Sequence, residues 1–352
     1  MAITQAPMTS ALKAGKLRRF TPLYIILGTL AVSVAVFAVL GAVNVAGILI
    51  VTAILFVLVY WLLSLFVEGS RKAKDRLMTS LVVIAFLIAL IPLISVAITT
   101  IGNGAPRFDL NFFTMSMRNI VGEGGGALHA IIGTLLITLA TSIISVPIGI
   151  LTAIYLVEYG RGKLARWITF LVDVMTGIPS IVAGLFAYAL LVIFFGEGVR
   201  LGIGGAIALS VLMIPVIVRS TEEMLKLVPN ELREASYALG VPKYLTILKV
   251  VLPTSLAGIV TGVMLSVARV IGETAPLLII AGYTQSMNYN LFDGRMMALP
   301  TFVYNSYAQQ GTDAQAYIDR AWTGALALIL IVMALNLSAR LVANLFSPKL
   351  GR

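Results

Sequence analysis

Eight long apolar segments take up most of this 352-residue chain. A helix needs roughly 20 apolar residues to cross about 30 Å of hydrocarbon, and each segment meets that length. With 59% hydrophobic and 11% charged residues, the chain has no room for a large soluble domain. The sequence therefore predicts an all-α polytopic membrane protein. The predicted spans are approximately 22–43, 45–67, 77–101, 128–157, 166–196, 199–219, 250–282 and 321–346.

Basic residues are distributed unevenly between the segments that separate these spans. If the N-terminus is cytoplasmic, the inner segments hold 19 of the 25 Lys and Arg residues, five lie outside, and Arg269 lies within a span. The positive-inside rule thus predicts that both termini are cytoplasmic. The net charge of +10 is explained by basic residues distributed according to membrane topology, so we expect no nucleic-acid partner. The absence of cysteine excludes disulfides and thiolate chemistry.

The loops divide the chain into an accessory unit and a body. The first two spans are separated only by Asn44 and form a tight hairpin, and a basic linker follows them. Residues 1–76 are therefore predicted to be an N-terminal tail with an accessory transmembrane hairpin, and residues 77–352 a six-span body. Two external loops are expected, 102–127 and 283–320, and the second is long enough to fold over the outer mouth.

A charged, strongly helical segment lies between the sixth and seventh spans, where its polar groups are unsuited to lipid. Asn230 is predicted to be the N-cap of a helix over 231–239. Gly240 suits the left-handed end of that helix, and Pro242 suits the first turn of a second helix over 242–250. The result is an L-shaped pair on the inner membrane surface. An ordinary connection between two spans is the alternative.

The spacing within this segment carries a first resemblance. The pattern is Glu234-Ala235-Ser236, then Gly240, then Val250-x-Leu252-Pro253. It resembles the EAA loop of ABC-importer permeases, although that family prefers Ala at position 236 and Ile at position 250. The resemblance implies that the loop 231–253 docks in a cleft of a cytoplasmic ATPase. The implied coupling residues are Glu231, Arg233, Glu234, Ala235, Ser236, Gly240 and Pro242.

Two ionisable residues, Arg269 and Glu273, stand deep in the seventh apolar segment. An Arg near the bilayer centre costs about 2.5–3.5 kcal/mol on insertion scales, so it needs a compensating partner or a wet cavity. The i, i+4 spacing predicts that both side chains share one helical face. One interpretation is a structural ion pair. The other is that Arg269 meets an oxyanion in the translocation path, with its planar fork held by Glu273.

Helix-breaking residues occur at two further places of interest. Pro276 lacks a backbone donor and leaves the carbonyl of Gly272 free, so the seventh span is predicted to be kinked there. Gly177 and Pro179 are predicted to break the fifth span where it lines the path. Asp173, just before this break, is expected to be a cap or an interface contact rather than a substrate ligand.

A second resemblance is closer and covers residues 127–282 densely. Its motifs are Gly133-Thr134-Leu135-Leu136, Val146-Pro147-Ile148-Gly149-Ile150, Tyr155-Leu156-x-Glu158-Tyr159, Asp173 through Phe186, and Ala268-Arg269 with Gly272-Glu273-Thr274-Ala275-Pro276-Leu277-Leu278. These are similar to the PstA-type permeases of bacterial high-affinity phosphate importers. Members of that family usually have six spans, so the N-terminal hairpin departs from the pattern.

This resemblance implies a MetI-like ABC permease core of six transmembrane helices in the bacterial cell membrane, here with an added hairpin. It also implies inorganic phosphate as substrate, Arg269 and Glu273 as transport residues, and three partners. The implied partners are a PstC-type permease, two copies of a PstB-type ATPase and a PstS-type extracytoplasmic phosphate-binding protein.

Energy for transport is expected to come from another chain. The sequence has no Gly-x-x-x-x-Gly-Lys-Ser/Thr run, so we expect no cofactor here, with ATP and magnesium bound by the partner ATPase. The alternatives are a related permease for sulfate or molybdate and, from a different class, an ATP-independent secondary transporter.

Overall fold

The computed structural model describes residues 15–41, 44–311 and 313–346, and this part of the chain is helical without strands. Its α-helices are α1 (Thr21–Val39), α2 (Val45–Glu68), α3 (Ser70–Gly104), α4 (Leu110–Thr114), α5 (Leu128–Ile154), α6 (Lys163–Thr176), α7 (Ser180–Phe195), α8 (Gly202–Lys226), α9 (Asn230–Ala238), α10 (Lys243–Thr246), α11 (Leu252–Ile271), α12 (Ala275–Ile280), α13 (Leu299–Ala308) and α14 (Ala314–Phe346). π-Helical turns extend α5 over Tyr155–Tyr159 and join α10 to α11 over Ile247–Val251.

Seven helical runs in the described residues are long and apolar enough to cross a membrane, and a bent pair of helices provides an eighth candidate. The predicted fold class, an all-α membrane protein consistent with eight spans, is confirmed. The predicted fifth span, 166–196, consists of α6 and α7, which meet at 110° at the break predicted for Gly177 and Pro179. Residues 177–179 separate the two helices, and α7 alone, at about 24 Å, is short for a full crossing.

The chain forms two compact units, Met1–Ile98 and Thr99–Arg352. In the first, α1 and α2 form the predicted hairpin, and the Asn44 side chain caps α2 by accepting from the backbone N–H of Ala46 at 3.0 Å. The predicted basic linker is part of α3, so the predicted boundary after residue 76 falls inside a helix. A separate role for residues 1–76 stays a prediction.

The second unit is built around α5 and α8, which pack along each other together with α11 and α12. Small residues permit this close packing. A Cβ on Gly149 of α5 would lie 2.6 Å from Ile217 Cγ2 of α8. On α11, Gly258 and Gly262 face Met224 and Ser220 of α8 in the same way. The close approach that these two glycines permit is therefore made to a helix of the same chain.

The segment before α13 is buried against the start of α5. Residues 296–299 are each at most 1% exposed, and the Leu299 N–H donates to Thr134 Oγ1 at 2.7 Å. A Cβ on Gly133 would lie only 2.0 Å from the Met297 carbonyl oxygen. Residues 296–299 of the loop 283–320 thus pack against α5. Its position over the outer mouth stays a prediction.

Gly133→Ala should lower the apparent melting temperature of the purified chain by several degrees, because the obstructing atom belongs to the backbone and cannot rotate away. Overpacking of this kind costs about 1–3 kcal/mol. The measurement is fluorescence-detected size exclusion after heating. Gly28→Ala is the matched control, since a Cβ there meets nothing within 4 Å. Equal melting temperatures for the two variants would contradict the packing described here.

Candidate functional site

Two breaks in the helices lie on elements that pack together. Helix α6 ends at Thr176 with Gly177 as its C-cap, and Pro179 is the N-cap of α7. Helix α11 ends at Ile271 with Gly272 as its C-cap, and Pro276 lies in the first turn of α12. The structure has breaks at the four residues that the sequence singled out. Their place along a translocation path stays a prediction.

Helix α12 packs closely against glycines of two neighbouring helices. A Cβ on Gly184 of α7 would lie 2.6 Å from Pro276 Cα, and one on Gly205 of α8 would lie 2.9 Å from Leu277 Cδ2. The last turn of α12 is also tied to α8, because the Leu201 N–H donates to the Ile280 carbonyl at 3.0 Å. The six-residue helix is therefore fixed by contacts on two sides, although it is too short to be stable alone.

The predicted ion pair between Arg269 and Glu273 is not formed, and the expectation that they share a helical face was wrong. The reason is the break: α11 ends at Ile271, so Glu273 lies outside the helix and i, i+4 geometry does not apply. Arg269 is exposed in the last turn of α11, and Glu273 is half-buried. Neither side chain has a hydrogen-bond or ion-pair partner among the described residues.

This arrangement leaves the guanidinium of Arg269 with all of its donors available. Arg carries five N–H donors in a fixed fork and keeps its charge, so it matches a tetrahedral oxyanion in geometry and electrostatics. Its position near the negative end of the α11 dipole favours the cation. The described residues contain no cluster of His, Cys, Asp and Glu suited to a metal ion.

The predicted coupling segment contains two helices, α9 and α10, but the second continues into α11. Helix α9 begins at Asn230 after the N-cap Pro229, so Asn230 is not the cap that the sequence predicted. Gly240 has φ +77°, the left-handed conformation expected of it. Pro242 is the N-cap of α10 instead of a first-turn residue. The predicted separate helix over 242–250 was wrong, because Lys243–Ile271 is one helical run that passes through a π-helical turn.

Arg233 anchors α9 to the rest of the second unit. Its Nε and Nη2 donate to Glu158 Oε1 at 3.0 and 2.8 Å, in the π-helical turn that ends α5. It also donates to the carbonyls of Val228 at 2.6 Å, just beyond α8, and of Leu225 at 2.9 Å, in the last turn of α8. A longer bond of 3.4 Å goes to Asn230 Oδ1. The Arg233 and Glu158 side chains are 11% and 6% exposed. One guanidinium therefore joins α9 to the ends of two long helices.

Two further contacts fix the angle between α9 and α10. The hydroxyls of Ser236 and Thr246 share a buried hydrogen bond of 2.8 Å. Lys243 donates to the Glu158 carbonyl, and its ammonium lies 4.9 Å from the ring centroid of Tyr159. Ser236 stands where the resembling pattern prefers Ala, and this hydrogen bond is the physical use of its hydroxyl.

The opposite face of this segment is not covered by any of the described residues. Glu231, Glu234 and Ala235 are exposed on α9. Beside them, Leu239 is 84% exposed and Tyr244 is 58% exposed. Of the residues predicted to contact the ATPase, Arg233 and Ser236 face inward and hold the segment in place. Glu231 and Glu234, together with Leu239 and Tyr244, form an exposed surface that is both acidic and apolar.

The sequence analysis did not identify the partners of two carboxylates, Glu158 and Asp173. Glu158 was part of a motif without an assigned role. It lies 75 residues before Arg233, so no local sequence pattern indicates their contact. Asp173 accepts a hydrogen bond from Arg219, which also donates to Glu222 at 2.8 Å. Asp173 is therefore a contact between α6 and α8.

Comparison with known proteins places the chain in a family. Residues 145–352 match the family described as binding-protein-dependent transport system inner membrane component. The chain is 44% identical over 276 residues to the phosphate transport system permease protein PstA of Mycobacterium leprae (strain TN), covering 77% of this chain and 89% of the relative. It is 41% identical to PstA of Pasteurella multocida (strain Pm70), covering 77% and 95%.

The chain belongs to the PstA permease family. The fold agrees with that assignment. A chain of a bacterial alginate ABC transporter, crystallised with an alginate-bound periplasmic protein, matches with a TM-score of 0.52 at 14% identity, over 76% of this chain and 93% of that one. The match to the binding-protein-dependent transport family covers the segments that hold Arg269 and Arg233, since both lie within residues 145–352.

Arg233→Ala should loosen the segment 230–246 without unfolding the membrane helices. Removing one partner of a nearly buried ion pair costs about 3 kcal/mol or more because the other charge is left uncompensated. Amide hydrogen exchange over this segment should therefore become roughly 100-fold faster. Glu234→Ala is the control, because Glu234 is exposed on the same helix. Unchanged exchange in Arg233→Ala would show that this pair does not hold the segment.

Proposed function

We propose that the chain is the permease subunit of an ATP-driven ABC importer that moves inorganic phosphate into the cytoplasm of a bacterium. The observation that carries this proposal is the 44% identity, over 89% of its length, to a protein named as a phosphate transport permease. A simple connection between the sixth and seventh spans would not need a helix such as α9, which is anchored on one face and exposed on the other. The protein would lie in the cell membrane with both termini cytoplasmic, as the distribution of basic residues predicts.

Arg269 is the residue proposed to meet the phosphate. It is exposed on this chain, has no partner in the described residues, and stands one turn before the break between α11 and α12. An unpaired cation at membrane depth is costly and marks a wet pathway when it occurs. Glu273, two residues beyond the end of α11, would weaken binding by like-charge repulsion, so that the anion is released rather than trapped.

Arg269→Gln should abolish phosphate uptake while the chain still inserts and assembles. The amide keeps much of the side-chain length but removes the charge and the five-donor fork. The measurement is uptake of labelled phosphate, with labelled sulfate in parallel, in phosphate-starved cells that lack the native gene. Arg118→Gln is the matched control, since Arg118 is also exposed and lies outside α11.

The outcomes separate the candidate substrates and roles. Phosphate-selective rescue by the native chain and by Arg118→Gln, but not by Arg269→Gln, supports the proposal. Rescue by Arg269→Gln would remove this residue from the path. Rescue of sulfate rather than phosphate uptake would assign another oxyanion to the same architecture.

The partners follow from the same proposal. The exposed face formed by Glu231, Glu234, Leu239 and Tyr244 would dock on one of two copies of a PstB-type ATPase, which binds ATP and magnesium. A PstC-type permease would complete the pathway beside Arg269, and a PstS-type binding protein would deliver phosphate from outside. Transport would proceed by alternating access, with ATPase closure moving α9 and the helices to which Arg233 and Lys243 bind it.

Glu234→Lys should uncouple the permease from its ATPase. The substitution reverses a charge on the exposed docking face and leaves the anchoring bonds of Arg233 unchanged. Phosphate uptake should fall at least tenfold, and the ATPase subunit should be lost on co-purification. Lys226→Glu, a charge reversal on the exposed end of α8, is the control. Full uptake and normal co-purification in Glu234→Lys would contradict this docking face. Full uptake by a native chain that co-purifies with no ATPase subunit would favour an ATP-independent transporter.

A further inference from the structure

An apolar groove runs between the three helices of the first unit. It has a volume of about 460 Å³ and is lined almost entirely by hydrocarbon side chains. On α3 its lining extends from Thr79 to Ile91, a rise of about 18 Å. One leaflet of a bilayer is about 15 Å of hydrocarbon, half of the whole core. The groove therefore has the length and chemistry to hold one acyl chain.

A polar cavity adjoins one end of this groove. It is lined by Lys16, Leu17, Glu68, Lys72, Asp75 and Arg76. The two spaces meet at Tyr60, which lines the groove and lies under the Arg76 guanidinium with 5.7 Å between Cζ and the ring centroid. Ser80, also in the groove, donates to the Arg76 carbonyl at 2.8 Å. The groove and the polar cavity therefore lie next to each other, with the Tyr60–Arg76 contact between them.

The charge of the polar end is strongly positive. Residues 15–76 contain seven basic and two acidic residues, and all nine lie at this end of the helices. One of the acids, Glu68, is already occupied: it is 3% exposed and accepts bonds from the Leu17 N–H, the Ser64 hydroxyl and Arg76. Lys16 and Lys72 are exposed and form no ion pair with any described residue.

We propose that the first unit binds an anionic phospholipid, with an acyl chain in the groove and the phosphate of its headgroup between Lys16 and Lys72. A basic cluster beside the membrane end of a helix attracts anionic headgroups, and a basic pocket between helices holds them in place. A basic cluster alone does not fix the position of the lipid's acyl chain, whereas burial in the apolar groove does. The hairpin is then a lipid-binding element added to the permease core.

Native mass spectrometry of the full-length chain tests this. The delipidated chain receives dioleoylphosphatidylglycerol or dioleoylphosphatidylcholine, and the retained lipid is counted. The native chain should retain one phosphatidylglycerol in clear preference to phosphatidylcholine. Lys16→Gln combined with Lys72→Gln should weaken that retention roughly 25-fold, at about fivefold per charge.

Two matched controls separate a built site from diffuse attraction. Arg71→Gln with Lys74→Gln removes the same charge from α3 outside the polar cavity and should have little effect. Val83→Trp fills the groove without changing charge and should abolish preferential retention, whereas Val82→Trp, the neighbouring residue outside the groove, should not.

Three results would overturn the proposal. Equal retention of the two lipids would remove the headgroup preference. Equal loss in the two double-glutamine variants would reduce the effect to net charge. Disappearance of the bound lipid when the chain is assembled with its partner subunits would show that protein, not lipid, covers the groove.

Discussion

Every backbone N–H and C=O in a membrane interior must be paired within the protein, and this constraint shapes the whole fold. At the break 177–179, the N–H groups of Gly177 and Ile178 bond to the carbonyls of Val174 at 3.0 Å and Met175 at 3.3 Å. At the break 272–274, the Glu273 N–H bonds to the Val270 carbonyl at 3.1 Å. The Leu201 N–H satisfies the last carbonyl of α12, and the Met296 N–H bonds to the Ala281 carbonyl at 3.0 Å. Glycines on α7 and α8 let the broken segment approach closely enough for its neighbours to shield it. An irregular backbone beside Arg269 is thus a product of tight packing elsewhere.

Charged residues in the second unit serve two different purposes, which burial separates. Arg233 and Glu158 are nearly buried and fully bonded, so they fix one geometry. Arg320 does similar work at another place: it is 1% exposed and donates from Nη1 to the carbonyls of Gly122 at 2.6 Å and Gly124 at 3.1 Å. Arg269, by contrast, is exposed and unpaired in the described residues. Arg233 and Arg320 each bond to backbone carbonyls and hold the structure in place, whereas Arg269 has no such bond among the described residues.

The sequence was informative wherever a signal was local. Composition and span length predicted the fold class, Gly240 predicted a left-handed residue, and Gly177 and Gly272 predicted the ends of helices. Long-range contacts were beyond it, as with Glu158 and Arg233. The pairing of Arg269 with Glu273 failed for a local reason: spacing implies a shared face only while the helix continues, and the helix ends between them. The separate helix over 242–250 failed because Pro253 lies in the first turn of α11, where a proline is tolerated and interrupts nothing.

The uninterrupted helical run Lys243–Ile271 has a mechanical meaning. Lys243 in the first turn is bound to the Glu158 carbonyl, and Arg269 stands near the other end, about 39 Å along the axis. A rod of this length has no loop in which to absorb displacement, and its π-helical turn keeps right-handed helical dihedrals at both borders. Tilting its first turn by a few degrees shifts the guanidinium by ångströms. The position of the first turn and the position of the Arg269 guanidinium are therefore mechanically linked along one continuous helix.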